Sequence, residues 1–269
     1  EDHLPDSMRE QMGLISLSDS LQQVHFPDNF DRLRQAQDRL AFDEIFFLQL
    51  GVQQQKQSWQ GLPARKYEIT DEQIRSITLH LPFSLTHAQE RVIAEIRSDL
   101  ASGKPMNRLI QGDVGSGKTI LAAIASAAVN LNDGQTAFMA PTSILAEQHF
   151  NSLRAILSGG ADSGLPVNEG EIRLLTGDTS TKEREEISLG CQDGTVKLLL
   201  GTHALIEDTV TFKNLQLAII DEQHRFGISQ RSALRQKGEN PHLLVMSATP
   251  IPRSLALTIF GDLDISILD

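Results

Sequence analysis

One segment of the 269-residue chain has the residue types and spacing that bind phosphate groups. GDVGSGKT, at 112–119, fits the pattern G-x-x-x-x-G-K-S/T. Glycines let backbone N–H groups close around phosphate oxygens, and a helix that begins after them adds the positive end of its dipole. The lysine would neutralise the β- and γ-phosphates, and the threonine hydroxyl would hold Mg²⁺. We therefore predict a nucleotide phosphate site formed by Gly112, Asp113, Val114, Gly115, Ser116, Gly117, Lys118 and Thr119.

A second chemical signal is a pair of carboxylates directly after an apolar run. In LQLAIIDEQH, at 215–224, Asp221 and Glu222 follow a segment typical of a buried strand. Ligand-binding side chains in open α/β sheets lie at the carboxyl ends of strands. Asp221 would bind Mg²⁺ through water, together with Thr119, and Glu222 would orient or deprotonate the attacking water. An acidic pair in this place also serves as a helix N-cap, and it is the phosphate loop upstream that favours catalysis.

A third segment, SATP at 247–250, again follows an apolar run. Its hydroxyl-bearing residues, Ser247 and Thr249, would bridge the phosphate site and a second site through hydrogen bonds. The alternative is a simple turn at the end of a strand, set by Pro250. The tetrapeptide alone does not choose between the two.

The elements that must position these segments alternate between strands and helices from about Thr70 onward. Helical patterns cover Lys118 to Val129, Ser143 to Leu157 and Lys182 to Leu189. This alternation predicts an α/β fold, a parallel sheet with helices on both faces. Short apolar runs typical of its buried strands lie at 108–111, 136–140, 172–175, 196–200, 215–220 and 242–247.

The N-terminal part has a different pattern. Apolar residues follow helical spacing from Asp31 to about Gln55, and a polar stretch containing glycine and proline follows at 53–66. We predict a mainly helical connector over residues 1–75 and an α/β nucleotide-binding domain over residues 76–269.

Composition excludes several other classes of protein. The chain has 24 Lys and Arg against 35 Asp and Glu, so its net charge of −11 indicates that any nucleic-acid contact must be local. Cys191 is the only cysteine, which excludes a disulfide framework and a cysteine-based zinc site. The longest mostly apolar stretch, 120–129, is half of the about 20 residues that a membrane span needs. The acidic N-terminus does not resemble a signal peptide, and we expect a soluble cytoplasmic protein with no membrane partner.

Taken in order, the motifs resemble the RecG family of superfamily 2 DNA helicases. The resemblance implies a RecA-like motor lobe that binds ATP and Mg²⁺. It also implies a branched DNA substrate, such as a replication fork or a Holliday junction, in repair and recombination. Besides GDVGSGKT it is carried by GLISLSDSLQQVHFP (13–27), LPFSLTHAQ (81–89), APTSILAEQH (140–149), LLTGD (174–178), GTHALI (201–206), IIDEQHRFG (219–227) and SATPIPR (247–253).

The resemblance also implies roles for individual residues. Phe83 and Gln89 would lie at the segment that reads the adenine, and Ser247 and Thr249 would couple hydrolysis to DNA movement. The catalytic set would be Lys118, Asp221, Glu222, Gln223 and His224, of which the last two also take part in coupling. The sugar–phosphate backbone of DNA would face Pro141, Thr142, Thr176, Gly177, Gly201 and Thr202. Small residues and backbone N–H groups contact phosphate without a basic patch, which suits an acidic protein, although loop capping alone also explains such residues.

Motors of this family have two lobes that clamp ATP, and a wedge domain that splits the junction. We expect the chain to be a fragment that holds the connector and the first lobe, and therefore to bind nucleotide weakly and to discriminate little between DNA structures. Ser247 stands where the family often has threonine, and this change keeps the hydroxyl. We further expect a monomer located at the nucleoid, with replication or single-strand-binding proteins as further partners.

Two other functions remain open. A transcription–repair coupling translocase shares the GDVG-x-GKT motif and a TATPIPR-like motif, but DEQH at 221–224 and the segment at 13–27 favour the branched-DNA helicase. A non-catalytic, nucleotide-responsive interaction module would bind ATP and present the connector helix to a partner.

Overall fold

The computed structural model describes residues 2–79, 81, 83–158, 167–221, 228–249 and 263–269. Of these, 2–57 belong to one compact unit, and the residues from 58 onward belong to a second. This division lies inside the segment that the sequence assigns to a connector. The connector itself, with its boundary after residue 75, stays a prediction.

The N-terminal unit is helical and is built around a buried arginine. It contains α1 (Asp6–Met12), α2 (Leu17–His25) and most of α3 (Phe30–Gln60), which confirms the helix predicted in this region. Arg39 of α3 is 0% exposed and pairs with Asp43 at 3.0 Å and with Asp2 at 2.6 Å. It also donates to the carbonyl oxygen of Ile15 at 2.7 Å. The hydrogen bond from Arg39 holds the pKa of the Asp2 carboxyl well below its usual range, so the cation is fully compensated.

The second unit alternates helices and strands, as the sequence predicts. Its helices are α4 (Asp71–Thr78), α5 (His87–Ala101), α6 (Lys118–Asn130), α7 (Ser143–Leu157), α8 (Thr181–Asp193) and α9 (Ile228–Gln236). Its strands are β1 (Asn107–Gly112), β2 (Gln135–Met139), β3 (Ile172–Leu175), β4 (Leu198–Gly201), β5 (Leu215–Asp221), β6 (His242–Ser247) and β7 (Asp264–Leu268). Short 3₁₀ turns lie at Glu169–Glu171 and His203–Ile206.

Within the described residues these strands form one parallel sheet, in the order β3-β4-β2-β5-β6-β1-β7. The sheet confirms the predicted α/β fold, and every predicted strand is present. β7 is the one described strand that the sequence analysis does not predict. It is a short edge strand with exposed residues at Asp264 and Ile267, so it lacks the continuous apolar run of a central strand.

The order of the strands decides which face each helix covers. α6 connects β1 to β2 and α7 connects β2 to β3, and both connections run in the same direction across the sheet. α8 connects β3 to β4 and α9 connects β5 to β6, and both run in the opposite direction. Because such crossovers are right-handed, α6 and α7 cover one face and α8 and α9 cover the opposite face. The predicted placement of helices on both faces is confirmed. α5 packs on α6 and β7 and therefore lies on the face of α6.

The helix that follows the phosphate loop, α6, is buried along most of its length. Every residue from Ile120 to Asn130 is buried, because α5, α7 and the sheet surround the helix. A helix that is apolar on all sides is stable only in such a setting. The beginning of α6 is thereby held firmly at the edge of the sheet where the motifs lie.

Two further observations concern the composition. Cys191 is buried in α8, and burial raises the pKa of its thiol to about 12, so the thiol stays protonated at neutral pH. No helix in the described part of the chain is long and apolar enough to span a membrane.

Candidate nucleotide-binding site

The sequence motifs converge on one edge of the sheet. β1 ends at Gly112, where the phosphate loop begins, and β5 ends at Asp221. The ends of β2, β3, β4 and β6 and the segments just after them carry most of the other predicted residues that the structure describes, whereas Phe83 and Gln89 lie just before α5 and in α5. In a parallel sheet all carboxyl ends lie on the same side, so motifs more than a hundred residues apart in the chain become neighbours.

The phosphate loop connects β1 directly to α6. Gly117 is the N-cap of α6 and has a φ of +87°, a left-handed conformation that favours glycine. A Cβ atom at this position would collide with the side-chain amide of Gln89. The backbone turn therefore favours glycine at position 117, and a side chain there would also displace the amide of Gln89. The tip of the loop, between Gly112 and Gly117, is exposed, and Val114 there is 90% exposed.

The last two side chains of the loop motif, Lys118 and Thr119, lie at the beginning of α6. Lys118 folds back over the loop and donates from Nζ to the carbonyl oxygens of Gly112, at 2.7 Å, and Asp113, at 2.9 Å. Thr119 is the second residue of α6 and is half-buried. The positive end of the helix and the ammonium group therefore lie at the same place, which suits an anion.

A cavity of about 680 Å³ opens at this edge of the sheet. Lys118 and Thr119 form one wall, Asp221 lies at the end of β5, and the residues after β2 and one face of α7 complete it. Its volume lies within the range typical of small-molecule sites. Among the described residues, the cavity is lined by Phe83, Val114, Gly115, Gly117, Lys118, Thr119, Pro141, Thr142, Leu145, Gln148, His149, Ser152, Asp221, Met246 and Ala248.

Asp221 is the carboxylate predicted to serve the metal, and it is 6% exposed. Its Oδ2 lies 2.7 Å from Nε2 of His149, on α7. Because an ionised carboxylate can only accept, the imidazole donates this hydrogen bond. His149 ends the segment APTSILAEQH (140–149), but no sequence motif gives it a role. The one signal in the sequence is that Leu145, His149 and Ser152 share one face of the helix.

The two residues predicted to read the adenine occupy different environments. Phe83 is 52% exposed and lines the cavity. Gln89 is buried, and its Nε2 donates to the carbonyl oxygen of Ser116, in the phosphate loop, at 2.9 Å. Its Oε1 accepts from the backbone N–H of Thr86 in the capping box of α5. Both polar ends of the side chain of Gln89 are thus engaged within the protein.

The six residues predicted to face DNA lie at the ends of three neighbouring strands, β2, β3 and β4, or just after them. Pro141 and Thr142 come after β2 and line the cavity, and the hydroxyl of Thr142 also caps α7. Gly177, after β3, has open space where a Cβ would be, and Thr202, after β4, is half-buried.

The other two of these six residues are buried. The backbone N–H of Thr176 donates to the hydroxyl of Thr179, and its carbonyl accepts from Arg184. Gly201 leaves no room for a side chain, because a Cβ there would collide with the carbonyl oxygen of Leu175. Both residues therefore shape the backbone of this edge.

Two of the predicted coupling residues lie at the end of β6: Ser247 is its last residue, and Thr249 follows two positions later. Ser247 is buried, and its Oγ lies 3.0 Å from Oγ1 of Thr249. The backbone N–H of Thr249 donates to the same Oγ, and Gln111 of β1 donates to the carbonyl of Thr249. The two hydroxyls are thus brought together beside the strand that carries the phosphate loop.

Glu222, Gln223 and His224 lie outside the described residues. Within the described part of the chain there is no group of three or more His, Cys, Asp or Glu side chains that could hold a metal ion by themselves. A hydroxyl and a single carboxylate, as Thr119 and Asp221 provide, suit Mg²⁺ when phosphate oxygens and water supply the other ligands.

Comparison with known proteins identifies a family and several relatives. Residues 86–258 match the DEAD/DEAH box helicase family. The whole chain is 48% identical to the ATP-dependent DNA helicase RecG of Synechocystis sp., of which it covers 31%. It is 46% identical over 99% of its length to the ATP-dependent DNA helicase RecG of Thermotoga maritima, of which it covers 33%.

A solved structure of RecG bound to a three-way DNA junction matches over 100% of the chain, with a TM-score of 0.82 and 42% identity. The chain covers 35% of that protein. It thus spans about a third of the length of the relatives that it matches.

Proposed function

The chain belongs to the DEAD/DEAH box helicase family, and from this premise we propose that it is the nucleotide-binding lobe of an ATP-dependent DNA helicase that remodels branched DNA. The similarity to RecG over the whole chain supports the choice within the family. The relatives named above are helicases by name, and none is a transcription–repair coupling translocase or a non-catalytic module.

One observation carries the proposal: Lys118, Thr119 and Asp221 surround a single cavity at the carboxyl edge of the sheet. These residues come from two elements that are about a hundred positions apart in the sequence. A loop that only connected a strand to a helix would not need a buried carboxylate nearby. A loop that binds the phosphates of a nucleotide with Mg²⁺ does need one, because the carboxylate holds the metal ion.

The donor set fits a nucleotide with Mg²⁺. The backbone N–H groups of the loop and the ammonium of Lys118 would bind the β- and γ-phosphates, exchanging the present contacts to Gly112 and Asp113. The hydroxyl of Thr119 and the carboxylate of Asp221 would hold Mg²⁺, directly and through water. When bound, Mg²⁺ neutralises charge that develops on the phosphate oxygens.

The remaining catalytic roles come from the segment after Asp221. Glu222 would orient the attacking water and accept its proton, since it follows Asp221 directly at the end of β5. Gln223 and His224, together with Ser247 and Thr249, would transmit hydrolysis to the DNA-binding residues. The hydrogen bond between Ser247 and Thr249, beside the strand of the phosphate loop, supports this part of the proposal.

DNA would bind along the ends of β2, β3 and β4. Pro141, Thr142, Gly177 and Thr202 offer small side chains and backbone groups to the sugar–phosphate backbone. Thr176 and Gly201 would act through the backbone conformation that their burial imposes. A helicase that acts on branched DNA would be located at the nucleoid in the cytoplasm. A monomeric state and contacts with replication or single-strand-binding proteins stay predictions.

The test is ATP-dependent conversion of a model fork by the complete gene product, with binding of a fluorescent ATP analogue by this chain as a parallel measurement. We expect Lys118→Ala to weaken nucleotide binding at least about tenfold, because a charge-assisted contact to phosphate is lost, and to abolish fork conversion. Lys104→Ala is the matched control, because Lys104 is an exposed lysine before the amino end of β1.

The two readouts separate the parts of the proposal. Unchanged nucleotide affinity in Lys118→Ala would overturn the assignment of the phosphate loop. A folded wild-type product that hydrolyses ATP but never converts forks would overturn the branched-DNA function.

A further inference from the structure

His149 and Asp221 form a contact that the catalytic roles above do not use. The two side chains are 14% and 8% exposed, and Nε2 of His149 lies 2.7 Å from Oδ2 of Asp221. They are 72 positions apart in the sequence. Among the described residues, His149 donates a hydrogen bond to Oδ2 of Asp221, and no residue donates one to Oδ1 of Asp221.

The imidazole is held in place by its own surroundings. Its ring lies against Phe138 of β2, with 4.7 Å between the ring centroids. α7, which carries it, is anchored at its beginning by the hydroxyl of Thr142 and along its length by the buried side chains of Leu153 and Leu157. A packed ring on an anchored helix has little freedom to rotate, so it presents Nε2 in a fixed direction.

A carboxylate in this position needs such a partner. Asp221 ends a central strand, and a buried charge without a hydrogen-bond donor is unfavourable. A carboxylate has two equivalent oxygens, and either can turn toward a ligand. A donor that engages one oxygen fixes the rotation of the group and leaves the other oxygen facing the cavity.

We infer that His149 is a positioning residue: by donating to Oδ2 it directs Oδ1 of Asp221 toward the Mg²⁺ that accompanies the nucleotide. This inference rests on the proposed nucleotide-binding function. His149 contacts the carboxylate and not the metal, so it acts on affinity for Mg²⁺ and on the geometry of the site. It does not add to the binding of nucleotide without metal.

A purely structural role is the competing explanation, since the same hydrogen bond also ties α7 to β5. The two roles differ in what they predict. A structural bond would affect folding and all nucleotide binding alike. A positioning bond affects the Mg²⁺-dependent part of nucleotide binding.

The experiment measures the affinity of the chain for a fluorescent ATP analogue in EDTA and over a series of Mg²⁺ concentrations. His149→Leu removes the donor and keeps an apolar side chain against Phe138. In this variant we expect the Mg²⁺ concentration that gives half of the maximal increase in nucleotide affinity to rise at least about tenfold, because loss of a hydrogen-bond partner of a metal ligand has an effect of this size. The affinity for nucleotide in EDTA should be unchanged. His149→Gln carries an N–H donor at a similar reach to Nε2 and should restore most of the Mg²⁺ dependence.

His242→Gln serves as the matched control, since His242 is a fully buried histidine at the other end of the sheet. We expect it to lower the melting temperature and to leave the Mg²⁺ requirement unchanged. The inference is wrong if His149→Leu binds Mg²⁺–nucleotide like the wild type, if it loses affinity equally with and without Mg²⁺, or if Gln restores nothing. If the wild type itself binds no nucleotide, the proposed function fails, and the inference fails with it.

Discussion

At the scale of single residues, the site depends on side chains that engage two partners at once. Gln89 is an example, because its carbonyl oxygen caps α5 and its amide nitrogen donates to Ser116 in the phosphate loop. Gln89 thereby links the beginning of one helix to the loop that precedes another. The family resemblance implies that Gln89 lies at the segment that reads the adenine. Its contacts indicate that it also orders the phosphate loop.

A substitution can separate these two contacts. Gln89→Glu keeps an oxygen that accepts from Thr86 but replaces the donor to Ser116 with an oxygen that repels the carbonyl. A lost hydrogen bond of this kind corresponds to about 1 kcal/mol, so we expect roughly fivefold to tenfold weaker nucleotide binding, measured by titration with an ATP analogue.

Gln73→Glu is the matched control for this prediction. Gln73 holds the same capping-box position in α4, opposite Thr70, and no hydrogen bond links it to the phosphate loop. Nucleotide affinity that falls equally in both variants would show that the caps matter and the contact to Ser116 does not.

At the scale of elements, a buried histidine joins the beginning of β6 to two neighbouring segments of the chain. His242, the first residue of β6, accepts from the backbone N–H of Met106 at 2.9 Å and donates to the carbonyl oxygen of Arg65 at 3.0 Å. Burial lowers the pKa of His242 below its ordinary value of 6.5, while the nearby charges of Asp99 and Arg235 act in opposite directions. The folded protein therefore favours the neutral imidazole, since protonation would place a second N–H against that of Met106.

The consequence is a dependence of stability on pH. The stabilisation by neutral His242 is fully present above the unfolded-state pKa of about 6.5, and it is lost as the pH falls toward the lower folded-state pKa. Between the two pKa values, the free energy of unfolding falls by up to about 1.4 kcal/mol per pH unit. Urea midpoints between pH 8 and pH 5.5 should fall more steeply for the wild type than for His242→Gln.

His25→Gln provides the control for this measurement, because His25 is exposed at the end of α2. Its curve should run parallel to that of the wild type. Equal slopes for the wild type and His242→Gln would contradict the role given to the buried imidazole.

At the scale of the whole molecule, the charge is at odds with binding a polyanion. The chain has a net charge of −11, and the residues proposed to face DNA are small and uncharged. Backbone N–H groups and hydroxyls can bind phosphate without releasing many counterions. Binding by this chain should therefore depend on local geometry far more than on bulk electrostatics.

This leads to a prediction about salt. Proteins that neutralise six to ten phosphates lose about 10³–10⁵ in affinity between 50 mM and 200 mM salt. We expect this chain to lose roughly tenfold or less over the same range, measured by fluorescence anisotropy with a labelled fork. A loss of 10³ or more would indicate a basic surface that the proposed contacts do not include.

The sequence by itself determined the parts of this protein that are local in the chain. The phosphate loop, the helix after it, the predicted strands and the carboxylate at the end of β5 follow from short motifs and from the periodicity of apolar residues. These features are encoded within about ten residues each. Glu222 is predicted from the same carboxylate pair, whereas the roles of Gln223 and His224 are implied by the family resemblance, and all three residues lie outside the described residues.

Only the tertiary structure decided which distant residues meet. The order of the strands, the edge strand β7, the contact of Gln89 with Ser116 and that of His149 with Asp221 join positions that no local pattern relates. A histidine in an amphipathic helix has the same spacing whether it faces solvent, core or carboxylate. Its partner is decided by the strand over which the helix packs, and this depends on the sheet as a whole.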